Sequence, residues 1–551
     1  MKRRYPHKQN ILLVNITRLG DMLQATPTIA GMRAENPEAK ISVLVEKQFE
    51  EVCHSIPNID EVVALDLGMT CRSLAREQEG IIDAYEYVSE VVEDLRRKNF
   101  DYCLNMSSSG YTALLLRMLR ITRNGGWTAD EEGYRVIESD WARLFATSVF
   151  HQNRQLNSLN LVDVFRCSAD VEQHPQHLLL HVPDEATRYA EDLIREAGFT
   201  NTGPIIAIQA GASQEKRQWA PAHFVRLVNI LTRDHNARVV LVGTKKELSI
   251  IEPIKAACDS PNVFIAAGRT SIPQLAALLK LSDVLVTGDT GPMHVCVATG
   301  TPVVAMFLAS AYAYETGPYS AGNIILQPVI GCGPCNPNKP CSKTDCHDSI
   351  TPELMAKLTM MRIGGEVTML PEGLADPERV IVYRSVFDGH GFCDLEPLNS
   401  NHRDPHRSYR EAYRQLWLDE IGGFEPEGKF QEEAARPSLR VAQSLEGVEQ
   451  VIAAAAEGER CIRELSALIR DVRASPSRLG EMSGRCTEVD RRIEELGYHF
   501  TPLGPVTRMF VFAKENISGT EALSLASQME TIYGDLIRRC GKLARYHQAV
   551  V

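Results

Sequence analysis

Up to about residue 310 the chain alternates short apolar runs with amphipathic stretches. Asn10-Ile11-Leu12-Leu13-Val14-Asn15 is β-branched, apolar and brief, which predicts a buried strand. A loop over 16–20 follows, and Asp21 then opens a predicted helix that runs to about Glu35, before Pro37. Further strands are predicted over 41–45, 61–65 and 101–104, with an amphipathic helix over 88–98. Such alternation implies a parallel sheet covered on both faces. The stretch 183–198 reads as a helical connector, and Gly203-Pro204 punctuates the chain. A second α/β series then begins, with predicted strands over 205–209, 238–242, 263–266, 283–287 and 302–307. Pro221 suits the first turn of one intervening helix, and Ser271 suits the cap of another.

Beyond Gly364 the pattern changes. Residues 365–410 are mixed. From Ser408 onward the chain is charged and mainly helical, with apolar residues at helical spacing over 441–473 and 519–545 and an interruption over 498–512. The expected organisation is two doubly wound halves, 1–185 and 186–364, and a mainly helical extension, 365–551. In open α/β sheets the ligand sits at the carboxyl ends of the strands, here in the cleft between the halves.

Composition narrows the partners. Of 551 residues, 44% are hydrophobic and 24% charged, ordinary for globular domains. The net charge of −12 argues against nucleic-acid binding by bulk electrostatics. No run approaches the ~18 apolar residues of a membrane span. The apolar run over 11–16 is too short for a signal peptide and contains Asn15, so a cytoplasmic protein is expected. Lys2, Arg3 and Arg4 leave room for a peripheral membrane contact. Most of the 14 cysteines are scattered singly, as in a reducing compartment.

The strongest chemical signal follows the predicted strand over 283–287: Gly288-Asp289-Thr290-Gly291-Pro292-Met293-His294. A strand ends in a glycine-containing turn and a helix starts at once. Free amides at a helix N-terminus attract an anion, and Gly288 and Gly291 allow a phosphate close to the backbone. Asp289 and Thr290 are equally good helix caps. Lys216 and Arg217 offer cations in a loop before Trp219, with Ser213 nearby; a solvated basic loop would look the same. Glu247 follows the strand over 238–242, where an acid can accept ribose hydroxyls or merely open a helix. Cys332, Cys335, Cys341 and Cys346 fall in a Pro- and Gly-rich loop, 331–348; four thiolates at such spacing can hold structural zinc or iron, or remain thiols or disulfides.

Three ordered motifs bring a resemblance. Arg18-Leu19-Gly20-Asp21-Met22-Leu23-Gln24-Ala25-Thr26-Pro27, Gln209-Ala210-Gly211-Ala212-Ser213 with Arg217-Gln218-Trp219-Ala220-Pro221, and the Asp289–His294 segment resemble glycosyltransferase family 9, the bacterial ADP-heptose–lipopolysaccharide heptosyltransferases. The resemblance spans roughly residues 8 to 355. It implies a GT-B architecture, with the acceptor on the first Rossmann-like half and the donor on the second. It implies inverting transfer of a heptose or similar sugar from an ADP-sugar to a saccharide or lipid-linked acceptor of the lipopolysaccharide core, at the inner face of the inner membrane, with no cofactor required for catalysis. Asp21 then becomes the general base, against a plain helix-capping role. Ser213, Lys216, Arg217, Glu247, Asp289, Thr290, Gly291 and His294 become donor-binding, with either Lys216 or Arg217 reaching the diphosphate. A protein or other glycan acceptor, or a non-catalytic nucleotide-binding scaffold, fits the same fold. The extension departs from the family's length and is open to a role as a homo-oligomer interface.

Overall fold

A computed structural model describes residues 9–551 except 77–79, 122, 151, 342, 344, 400–403, 435–444, 472 and 474. Lys2, Arg3 and Arg4 lie outside the described residues.

Two sheets organise the chain. The first holds β1 (Asn10–Asn15), β2 (Lys40–Glu46), β3 (Glu61–Leu65), β4 (Tyr102–Asn105), β5 (Asn124–Ala129) and β6 (Arg135–Ile137), in the order β3-β2-β1-β4-β5-β6. Only β6 runs antiparallel. Successive side chains of a strand point to opposite faces. Ile11 and Leu13 of β1 therefore join Ile41, Val43 and Leu104 on one face, while Leu12 and Val14 join Leu44 and Cys103 on the other. Each such side chain contributes ~1.5–3 kcal/mol on full burial.

The second sheet holds β7 (Ile205–Gln209), β8 (Arg238–Val242), β9 (Val263–Ile265), β10 (Val284–Gly288), β11 (Val303–Met306), β12 (Ile324–Pro328), β13 (Val380–Phe387) and β14 (Cys393–Pro397). Read from β9, the order is β9-β8-β7-β10-β11-β12, the doubly wound pattern of dinucleotide-binding sheets, followed by β13 and β14. The two halves thus form a GT-B architecture, Rossmann-like domains facing a cleft. The helix Asp184–Glu196 connects them.

Two regions differ from expectation. Residues 380–397, expected within the mainly helical extension, form a hairpin that pairs antiparallel onto β12. β5 carries no strand pattern because glycine occupies its contact positions. A Cβ on Gly125 would lie 2.5 Å from Tyr102 Oη, and one on Gly126, at φ 78°, would lie 2.0 Å from the Asn105 carbonyl oxygen.

The rest of the extension is helical: Arg407–Glu420, Val448–Arg470, Pro476–His499, Gly504–Glu515 and Ala522–Val550. The expected interruption over 498–512 shrinks to the turn Thr501–Leu503. Pro505 lies in the first turn of the next helix, where its missing amide hydrogen costs nothing. These helices share one apolar core with Trp141, Leu144, Leu156 and Val164 of the first half. The Ile137 amide also donates to Asn516 Oδ1 at 2.7 Å. The extension is therefore docked on the first domain. Among the described residues no helix is long and apolar enough to cross a membrane.

Candidate active site

The switch points of the two sheets face each other. Loops after β1, β7, β8 and β10 converge on a cleft of ≈ 750 Å³, within the usual ~300–1,000 Å³ of small-molecule sites. Asp21, Ser213, Arg217, Glu247, Asp289, Thr290, Gly291 and His294 all line it.

The first and third motifs, some 270 residues apart in sequence, touch. The helix Leu19–Gln24 packs against the helix Gly291–Ala298 so closely that a Cβ on Gly20 would lie 2.8 Å from His294 Cδ2. Only glycine permits this approach. Asp21 does not cap its helix: Arg18 holds the N-cap position, and Asp21 lies in the first turn. Burial pushes its carboxyl above the ordinary carboxylate range, and Asp289 adds to this; a hydrogen bond from Thr17 and the charges of Arg18 and His294 work the other way. Burial likewise lowers the His294 imidazole, against the pull of Asp289 and Asp21. His294 is 3% exposed and its Nδ1 lacks a partner among the described residues.

On the opposite wall Thr290 occupies the N-cap of Gly291–Ala298, yet its hydroxyl does not cap the helix. It meets Thr287 Oγ1 at 3.1 Å instead. Among the described residues no side-chain hydrogen bond caps this helix N-terminus, which leaves the Gly291 amide and the helix dipole beside the cleft. Arg217 pairs with the Asp289 carboxylate and donates to the Asp289 carbonyl at 2.8 Å. This places a guanidinium beside the same helix end, a combination suited to an anion.

Glu247 accepts from the Thr244 amide at 2.6 Å and from Gln209 Nε2 at 2.9 Å. It packs on Gly211, where a Cβ would fall 1.7 Å from its Oε1. The glycine of the second motif thus makes room for this carboxylate at the cleft edge.

Lys216 does not enter the cleft. Its ammonium donates to the carbonyls of Asn336, Pro337 and Lys339 at 2.9, 2.9 and 2.8 Å, tying down the Cys-rich loop. Of the two adjacent cations, Arg217 faces the cleft. Cys335 is pushed up to about 11 by burial and by the neighbouring Cys332, Cys341 and Cys346 thiols. Cys332 and Cys341 are exposed and Cys346 is buried, and among the described residues no three His, Cys, Asp or Glu side chains are arranged to hold a metal ion.

One residue without a motif joins the site, and an ion pair beside it braces the loop. Thr316 lines the cleft and donates to Asp289 Oδ1 at 3.1 Å. Beside it, Glu315 accepts two hydrogen bonds from Arg154 of the first half, at 2.8 and 2.5 Å. A bidentate pair thus ties the first domain to the loop that holds Asp289. The one sequence cue for this segment is its place after strand β11.

Comparison with known proteins follows the same lines. Residues 88–346 match the model described as glycosyltransferase family 9 (heptosyltransferase). Residues 88–346 belong to glycosyltransferase family 9. The enzyme's match includes Arg217, Glu247 and the Asp289–His294 loop; Asp21 lies upstream of it. The enzyme is 23% identical to lipopolysaccharide heptosyltransferase 3 of Escherichia coli, over 54% of its own length and 82% of that protein. It is 24% identical to the lipopolysaccharide core heptosyltransferase OpsX of Haemophilus influenzae, over 57% and 82% of the two chains. Among solved structures it is similar to E. coli ADP-heptose lipopolysaccharide heptosyltransferase II, at 20% identity and a TM-score of 0.47, covering 65% of this chain and 99% of that one. The enzyme is a glycosyltransferase.

Proposed function

We propose that this glycosyltransferase moves a heptose, or a similar sugar, from an ADP-sugar to a saccharide of the lipopolysaccharide core, with inversion. The observation that carries this reading is the direct apposition of Asp21 and the uncapped helix end at Gly291 across one cleft. The donor diphosphate would lie on the Thr290–Gly291 amides and Arg217. Glu247 and Gln209 stand where the ribose would reach. Ser213 lines the same wall, and His294 would meet the diphosphate or the sugar.

Asp21 is the general base. It takes the proton of the acceptor hydroxyl while that oxygen attacks the anomeric carbon and the bond to the diphosphate breaks. Positive charge from Arg217 and the helix dipole receives the negative charge developing on the leaving group. The raised carboxyl of Asp21 makes it a stronger base than a solvated aspartate, the direction a general base needs. None of these steps calls on a metal.

The chemistry in the names of the heptosyltransferase relatives supports the choice of sugar and acceptor. A thermal-shift panel of ADP-, UDP- and GDP-sugars, followed by turnover with a heptose-deficient lipopolysaccharide core, tests it. The expected result is stabilisation by ADP-sugars above the others and transfer of one heptose. Preference for a UDP- or GDP-sugar, or transfer only to another acceptor class, would reject it.

A further inference from the structure

A second cavity, of ≈ 690 Å³, shares no lining residue with the cleft. Its walls are the β13–β14 hairpin, the helix Arg407–Glu420 and Tyr314. The hairpin and the first helix of the extension therefore create it.

Its wall alternates in charge. Arg414 pairs with Asp388 at 2.6 Å and with Asp394 at 3.4 Å. Arg407 pairs with Glu411 at 2.8 Å, and Arg410 pairs with Asp404. Along the lining, carboxylates outnumber arginines five to three. An anion would meet the carboxylates, and a cation would meet guanidinium groups already oriented inward. Groups that both donate and accept, such as hydroxyls, suit such a wall. The Arg410 guanidinium lies 4.8 Å over the Tyr314 ring. Arg410 is 5% exposed and lies beneath this wall, held by Asp404 and the Tyr314 ring. The part-exposed rings of Tyr314 and Phe430 add aromatic surface of the kind that packs on the C–H faces of a sugar ring.

We propose that this cavity is a second ligand site, for an uncharged saccharide of one or two rings. It is separate from the donor cleft, and one short helix borders both. Tyr314 faces this cavity, and Thr316, two residues on, holds Asp289 in the cleft.

Saturation-transfer NMR on the full chain tests the site, with methyl α-D-glucopyranoside, maltose and lactose as probes and glucose 6-phosphate and glucosamine as charged comparators. At least one neutral probe is expected to bind, and to bind more tightly than either charged one. Val386→Trp on the hairpin wall and Gln415→Trp on the helix wall each fill the cavity, and each should weaken that binding at least tenfold; either variant suffices if the other fails to fold. Arg217→Ala in the cleft should leave it unchanged. The proposal is overturned if no neutral probe binds, if a charged comparator binds as well, or if a folded filling variant retains full affinity.

Discussion

Arg154→Ala tests the link between the domains. In the folded protein Arg154 and Glu315 are 11% and 12% exposed and joined by two hydrogen bonds. Little solvent remains to screen the pair. Removing the arginine strands a buried carboxylate, which costs ~3–5 kcal/mol. At ~2–4 °C per kcal/mol for a domain of this size, the midpoint of thermal unfolding should fall by roughly 6–20 °C. The double variant Arg154→Ala/Glu315→Gln leaves no unpaired charge and should recover more than half of that loss, a coupling that a double-mutant cycle reads directly.

The pH dependence has a definite sign. Burial raises the Glu315 carboxyl, and Arg154 is the main group lowering it. Without Arg154 it rises further. The single variant's deficit is therefore full above that raised value and shrinks as pH falls through it, where Glu315 takes a proton in both proteins. Scanning calorimetry of the wild type, Arg154→Ala, Glu315→Gln and the double variant at neutral and mildly acidic pH measures both effects. A drop below ~2 °C, less than about 1 kcal/mol, or a double variant no better than the single one, would refute the reasoning.

Arg217→Ala should weaken ADP binding by roughly 10- to 150-fold, the ~1.5–3 kcal/mol of a hydrogen bond to a charged group, as calorimetry would show. Unchanged affinity would remove it from the diphosphate site. Lys216→Ala should leave ADP affinity intact while freeing the Cys-rich loop, read as faster thiol labelling of Cys335 and the buried Cys346; a lost affinity would instead return Lys216 to the cleft. Thr316→Val removes the hydroxyl that holds Asp289 and should lower donor affinity without moving the unfolding midpoint, which separates it from Arg154→Ala.

Much of the fold was legible because its signals are local. β1, β7 and β8 begin and end where the apolar runs do, since a parallel strand buried on both faces needs such a run. β5 escaped because close packing demanded glycines in place of a β-branched pattern. β13 and β14 were hidden because nothing local assigns a hairpin to a distant sheet edge. The site divides the same way. Asp21, Arg217 and the Asp289–His294 loop follow strands, but spacing alone left each open to a helix cap or a solvated loop; the resemblance of their motifs singled them out. Which of two neighbouring cations enters the cleft is a matter of direction. Lys216 and Arg217 are separated only by the three carbonyls that capture the lysine. Arg154 and Glu315 belong to different domains, and their pairing exists only once both have folded.

The central claim rests on Asp21 as the base. Single-turnover transfer by Asp21→Asn, measured beside ADP-sugar affinity, tests it most directly. A loss of ~10²–10⁴ in rate with donor affinity unchanged is expected. In the wild type the rate should fall as pH drops through the raised Asp21 value, an acid limb above the ordinary 3.8 that the variant lacks. Transfer by Asp21→Asn at near the wild-type rate, or the same acid limb in both proteins, would contradict it.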